Sequence, residues 1–203
     1  MQNQEQWSYW RHAPPGDGNV PVDWESFLLL SGRRLRWRRL GPLIRSTKLI
    51  DLQTGELVVS LRSKRSIRVG FRAGLRTYVI ESADDGYRLA DEETGNSIFT
   101  VQGGHFRFDA QTRVSLPSGT TVTLPVSGRT RRRAVLHAVA SEGSILFYLR
   151  WRWGSLWAGV AGLEVAVPPG QVLTAELLGL IYLSSTSLLA NFFAGRHQGA
   201  PLG

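Results

Sequence analysis

The side chains in this sequence with the most chemistry to offer are its arginines. GRRLRWRRL, from Gly32 to Leu40, places Arg34, Arg36 and Arg38 on one face of a strand and Leu35 and Trp37 on the other. RSKRSIRVGFR adds Arg62, Lys64, Arg65, Arg68 and Arg72, and adjacent strands would merge the two runs into one patch. Arg129, Arg131, Arg132 and Arg133 make a compact basic loop, and Arg150 and Arg152 alternate with Trp151 and Trp153. The chemistry this suggests is anion binding. A cation near an anionic bilayer contributes about 1 kcal/mol, and the indoles of Trp37, Trp151 and Trp153 suit the headgroup interface. The same residues also fit a solvated face that keeps the domain soluble. With only Lys48 and Lys64 as lysines, the arginine preference follows from a GC-rich genome as readily as from bidentate phosphate recognition.

Bond-making chemistry has no anchor. His12, His105, His137 and His197 are scattered, with no carboxylate at ligand spacing. His137, in AVLHAVA, reads as a strand residue with a satisfied ring. No nucleophile elbow, phosphate-binding lysine loop, dinucleotide fingerprint or paired-histidine zinc motif is present. Asp84 and Asp85, and then Asp91, Glu92 and Glu93, sit in ADDG and DEETG, which match turn chemistry rather than the alternating acids of a calcium loop. The expectation is a protein that is not an enzyme, with no catalytic residue, metal or cofactor.

The net charge of +8 is unevenly distributed. Residues 31 to 80 carry 13 Arg and Lys against Asp51 and Glu56, whereas residues 81 to 127 carry seven acids against Arg88, Arg107 and Arg113. A sheet built from both stretches would present faces of opposite sign. Partners suited to the basic face are an anionic phospholipid surface or an acidic protein surface. Nucleic acid shares the electrostatic footprint but ranks lower, because no RNP-like motif or recognition helix is found; no small-molecule substrate is indicated. Cysteine is absent, which removes disulfide and thiolate chemistry, and the first residues have no apolar run like that of a secretory signal. The expected location is cytoplasmic, peripheral at the inner face of the membrane.

These side chains must be positioned by strands. After a polar arm over residues 1–22, whose aromatics Trp7, Tyr9 and Trp10 precede APPGDGN, short β-branched and aromatic runs alternate with glycine turns. PLIRSTKLIDL and ELVVSLRSK flank QTG; IRVGFRAG, LRTYVIES, YRLADEE and SIFTVQG follow, then HFRFDA, RVSLPSG, TVTLPV, AVLHAVA, ILFYLRWRW and LEVAV. That is roughly a dozen strands, with little 3.6-residue periodicity before Gly170. The last element differs. LTAELLGLIYLSSTSLLANFFAG, Leu173 to Gly195, carries no charge from Leu177 to Phe193; Thr174 suits its N-cap and Gly195 its C′ position. Its length of about 30 Å matches a bilayer, so a tail-anchored protein spanning the membrane over residues 173–194 is one reading. The other is a helix wrapped by protein: eleven or twelve strands close into a barrel wide enough to hold one. The Ser184, Ser185, Thr186 and Ser187 hydroxyls would then bond to the helix's own carbonyls.

The order of many short meandering strands before a closing apolar helix, TAELLGLIYLSSTSLLANFFAG, resembles the tubby C-terminal-like superfamily, which takes in tubby-like, LURP-one-related and phospholipid scramblase proteins and bacterial relatives. The turns DLQTGELV and DEETGNSIF are similar to hairpins of that family. The resemblance implies a mainly β (α+β) fold. It would be a closed barrel of about 12 strands over residues 23–196, enclosing a central helix at about 172–194, with 197–203 as a tail. It also implies phospholipid binding or signalling without an established reaction. The chain departs from the scramblase pattern, having no cysteine to palmitoylate and no acidic EF-like loop, and it offers no Lys–Arg pair that maps onto the phosphoinositide site of tubby proteins. The functional expectation is therefore a non-enzymatic binding module that docks through its arginine-rich face.

Overall fold

The computed structural model describes residues 32–38, 46–65, 68–83, 86–102, 112–124, 135–152 and 162–197. The 1–22 arm, the HFRFDA run, the Arg129–Arg133 loop, Trp153 and the 197–203 tail beyond His197 lie outside those residues, as do the side chains of Lys64, Arg65 and Trp151.

Alternation of apolar and polar residues governs the strands, because successive side chains of an extended chain point to opposite faces. Twelve strands form: β1 Arg33–Arg38, β2 Ser46–Asp51, β3 Leu57–Arg65, β4 Arg68–Ala73, β5 Arg76–Ala83, β6 Gly86–Asp91, β7 Ser97–Gln102, β8 Arg113–Ser115, β9 Thr121–Thr123, β10 Val135–Ala140, β11 Ile145–Arg152 and β12 Gly162–Val167. Leu35 and Trp37 in β1, Leu49 in β2, Val59 and Leu61 in β3 and Phe147 and Leu149 in β11 are buried together in one core. The alternation is less clean where Val79 faces Ala90 across β5 and β6, since both are buried on the side away from that core.

All pairings are antiparallel, and the spatial order β7-β6-β5-β4-β3-β2-β1-β12-β11-β10-β9-β8 is two meanders joined by β1 against β12. The terminal strands β7 and β8 come within 8 Å of each other, so the sheet rolls into a nearly closed 12-stranded barrel. Bringing β7 near β8 leaves little open edge to invite pairing with other chains.

Strand directions put the described tight turns at one end of this barrel. Six glycines there have positive φ: Gly55, Gly74, Gly95, Gly119, Gly143 and Gly170. Two of the turns are the same device used twice. In DLQTGE the Asp51 carboxylate accepts the Gln53 and Thr54 amides, the Gly55 amide donates to the Asp51 carbonyl, and Arg33 of β1 pairs with the carboxylate at 3.1 Å. In DEETGN, Asp91 accepts the Glu93 and Thr94 amides, the Gly95 amide donates to the Asp91 carbonyl, and Arg76 of β5 pairs with the carboxylate at 3.5 Å. A left-handed residue closes each loop, which only glycine adopts without a Cβ penalty.

The one described helix, α1, spans Ala175–His197. Thr174 caps it, its hydroxyl accepting the Leu177 amide at 3.3 Å. The expected stop at Gly195 is corrected, since the helical backbone continues to His197; glycine costs a helix only about 1 kcal/mol against alanine and does not by itself end one. Leu177, Leu180, Ile181 and Leu183 are buried in the same core as the inward strand residues. A Cβ added at Gly179 would sit 3.1 Å from Leu89 Cδ2 of β6 and 3.2 Å from Phe99 Cζ of β7, so the helix backbone lies directly against that wall. Among the described residues no helix is long and apolar enough to cross a membrane.

Candidate functional site

The barrel wall that positions the arginines is built from β12, β1, β2, β3 and β4. On β1 the alternation holds: Leu35 and Trp37 are fully buried, and Arg34, Arg36 and Arg38 take the outer face. Trp37 as an interfacial aromatic is therefore corrected. Its exposure is 0%, its indole Nε1 donates to Ser185 Oγ of α1 at 2.8 Å, and its ring meets Tyr182 edge-on at 5.9 Å. A residue fixed inside the wall cannot sit among headgroups.

The outer arginines divide by their partners. Arg36 lies opposite Glu164 of β12 and donates to its carboxylate at 2.6 Å; Glu164 is nearly buried, with 3% of its side chain exposed. Arg150 of β11 stands opposite Glu164 from the other side, so the carboxylate is flanked by arginines in one row of the sheet. Arg36, one of the expected anion-binding residues, is thus the counterion of a nearly buried acid. At the other flank, Arg68 reaches Glu81 at 3.5 Å and Glu92 at 3.7 Å, and Arg88 also pairs with Glu81. Arg68, also an expected anion-binding residue, thus has acidic partners. These pairs, with Arg76 on Asp91, also correct the expected acidic face, because the acids of β5 and β6 are matched by arginines of β4, β5 and β6.

Between the two flanks is a stretch of wall where cations have no such partners. Arg38 and Lys48 stand directly opposite each other across β1 and β2, both exposed. Lys48 is in turn opposite Ser60 of β3, and Arg62, two residues along β3, is opposite Ser46 on one side and Gly70 on the other. Arg38, Lys48 and Arg62 form no ion pair among the described residues. Arg72 lies apart from them, at the turn end of β4 opposite Thr77, with its Nε donating to the Gly74 carbonyl. Arg34 lies opposite Ala166, and its Nε is buried with no hydrogen-bond partner. Like charges placed directly across two strands repel, and a bound anion between them would remove that cost.

Of the expected site residues, the structure thus puts Arg38 and Arg62 on the unpaired stretch, ties Arg36 and Arg68 to acids, sets Arg72 apart beside the glycine turn, and puts Lys64 and Arg65 at the end of β3. Trp151 lies in β11, opposite Leu163. Arg131, Arg132, Arg133 and Trp153 fall outside the described residues. Lys48 is the residue that reading the sequence missed. STKLID alternates in the same way as RRLRWR, but only the register shows that Lys48 meets Arg38. Glu164 was missed for the same reason.

His137 of β10 is buried beside Tyr148 of β11, with ring centroids 6.2 Å apart, on the side of the wall away from the core. Burial disfavours its charged form and lowers its pKa to about 4. Among the described residues no ion pair to a carboxylate is made by His137. No group of three or more metal-ligating side chains occurs among the described residues.

No protein-family model and no curated protein matches the sequence. Among solved structures, the chain is similar to an Arabidopsis thaliana protein determined by X-ray crystallography. The two are 13% identical with a TM-score of 0.50, over 82% of this chain and 97% of the plant chain. At that identity the likeness is one of fold.

Proposed function

We propose that this protein is a non-enzymatic binding module of the tubby-like, LURP-one-related type, which docks peripherally on anionic bilayers through Arg38, Lys48 and Arg62. The observation that carries the reading is the register that sets Arg38 opposite Lys48 across β1 and β2, neither with an ion pair among the described residues, flanked on both sides by arginines that do have acids. Three such cations near an anionic surface contribute about 3 kcal/mol together, or about two orders of magnitude in partitioning. Anionic lipid is concentrated in the cytoplasmic leaflet, which makes that the expected membrane.

In this reading α1 runs along the barrel axis. Contacts to β1 through Trp37 and to β6 and β7 through Gly179 come from strands far apart in the sheet order, as they would for a helix enclosed by the wall. A helix used as a tail anchor would instead turn these apolar faces to lipid. The fold likeness to the Arabidopsis protein supports the barrel but not its ligand.

A lipid surface is favoured over nucleic acid because most of the aromatic side chains described, including Trp37, Phe71, Phe99 and Phe147, are buried and Tyr78 is half-buried, stacked on Phe71, whereas single-stranded nucleic acid binds by stacking on exposed rings. Co-sedimentation with phosphatidylcholine vesicles of rising phosphatidylserine content tests the reading. Binding should climb with anionic lipid and fall with salt. Equal binding to neutral vesicles, or salt-sensitive binding to oligonucleotides without binding to vesicles, would overturn it.

A further inference from the structure

Charge is segregated along the barrel. The end with the glycine turns holds Asp51, Glu56, Asp91, Glu92, Glu93, Glu142 and, in the first turn of α1, Glu176, against Arg33, Arg34, Arg72 and Arg76. Among the described side chains, the opposite halves of the strands hold Arg36, Arg38, Lys48, Arg62, Arg68, Arg88, Arg113 and Arg150 against Glu81 and Glu164. Of those described, seven acids face four cations at one end, and two acids face eight cations at the other. The polarity is therefore end to end, not face to face as the sequence blocks suggest.

The cations of the basic end also surround the barrel. Arg113 is exposed at the first residue of β8 and makes no ion pair among the described residues, and β8 lies six places from β2 in a cycle of twelve strands, on the far wall from Lys48. Arg72 differs, since it shares the β1–β4 wall with Lys48 but lies next to the glycine turn at Gly74. A body with this charge separation turns its positive end toward a negatively charged plane. The acidic end cannot take that place, although Leu57, Leu75 and Val172 are exposed there, with Leu75 at 92%. Glu56, Glu93 and Glu142 are exposed in the turns of the same end and repel an anionic surface.

We infer that the barrel stands end-on on an anionic phospholipid bilayer, with the end opposite its glycine turns against the headgroups and the acidic turn rim directed away from the membrane. This rests on the proposed membrane binding and adds the orientation. It predicts that a cation's contribution depends on its end and not on its wall.

Three charge reversals in the full chain, read by partitioning into phosphatidylserine-containing vesicles, separate the possibilities. Arg38→Glu and Arg113→Glu should each weaken binding by about tenfold or more, and Arg72→Glu by less than about twofold. Because the chain has no cysteine, a single Ser82→Cys or Ser141→Cys carries a fluorophore at a known end. Ser82 is near the basic end of β5 and Ser141 is in the β10–β11 turn, and both are exposed. Nitroxide headgroup lipid should quench the Ser82 label and spare the Ser141 label. Loss of binding with Arg72→Glu but not with Arg113→Glu would mean that the barrel lies on its side, and quenching at Ser141 would mean that it stands on its turn rim. Either overturns the orientation while leaving membrane binding intact. A wild-type chain that ignores anionic vesicles overturns both.

Discussion

The indole nitrogen of Trp37, in the first described strand, donates to the hydroxyl of Ser185, in the last element of the fold, at 2.8 Å. Both side chains are fully buried, so the bond fixes the height and rotation of α1 against β1. It also explains part of the polar belt in an otherwise apolar helix. Thr186, which is half-buried, donates back to the Tyr182 and Leu183 carbonyls, at 3.0 Å and 2.9 Å. Ser185 is used by the wall instead, and Ser184 Oγ is buried without a partner.

Removing either side of the Trp37–Ser185 bond should leave a buried polar group unsatisfied. Ser185→Ala is expected to cost about 1–3 kcal/mol, and Trp37→Phe more, through the added loss of packing against Tyr182. In a double-mutant cycle by urea denaturation the pair should couple by about 1 kcal/mol. Additive losses would mean that the bond contributes nothing to stability.

Arg36 and Arg38 are two residues apart on one face and should behave differently. Arg36→Met strips Glu164 of its 2.6 Å donor, and the expected loss is about 1.5–3 kcal/mol of stability, since the acceptor is a charged and nearly buried group. Vesicle binding at a temperature where the variant is folded should change little. Arg38→Met should leave the unfolding midpoint within about 0.5 kcal/mol of wild type while weakening vesicle binding about fivefold. The reverse pattern would show the two roles to be misassigned.

Acid should destabilise the fold in two stages. His137 has a folded pKa of about 4 against an ordinary 6.5. The unfolded chain therefore binds the extra proton between those values, and stability complete above about pH 6.5 is lost as the pH falls toward 4. The amount is on the order of 3 kcal/mol. Asp51 and Asp91 act lower. Burial of Asp51 works against ionisation but is outweighed by the Gln53 amide, Arg33 and the Thr54 amide, and Asp91 is held down chiefly by the Thr94 amide against a smaller effect of burial, with help from the Glu93 amide and Arg76. Both carboxyls stay below their usual range, so their contribution is present above it and disappears as pH falls through the folded values. His137→Gln should flatten urea midpoints between pH 6.5 and 4 and keep the lower stage. A wild-type midpoint that is level across that window would contradict the assignment.

A chain ending at Gln171 should not fold. Leu177, Leu180, Ile181 and Leu183 share one core with the inward residues of the strands, and losing a buried leucine alone costs about 2–5 kcal/mol. Soluble expression with near-ultraviolet circular dichroism is the check. A soluble, ordered body after truncation would mean that α1 is an appendage.

The strands were legible because RRLRWR, STKLID and TVT alternate, and the helix because it is apolar with a threonine cap. The turns at Asp51 and Asp91 were legible as turns, though not as one repeated device, since that depends on arginines contributed by the preceding strands. The site was only partly legible. Alternation assigned Arg34, Arg36 and Arg38 to one face, but which of them is neutralised depends on Glu164, 128 positions from Arg36, and on a register that no local pattern encodes. Trp37 shows the same limit: its parity places it inward, against an interfacial role suggested by residue type.

Membrane binding is assigned to Arg38, Lys48 and Arg62 of β1, β2 and β3, which make no ion pair among the described residues. The direct test is the partition coefficient of an Arg38→Ala, Lys48→Ala, Arg62→Ala variant into vesicles of fixed phosphatidylserine content, beside a variant with three exposed acids removed from the opposite end (Glu56→Gln, Glu93→Gln, Glu142→Gln) to control for folding and handling. The triple alanine variant should unfold like wild type and lose about two orders of magnitude in partitioning, while the control binds at least as tightly as wild type. Undiminished binding by the triple alanine variant would contradict the account.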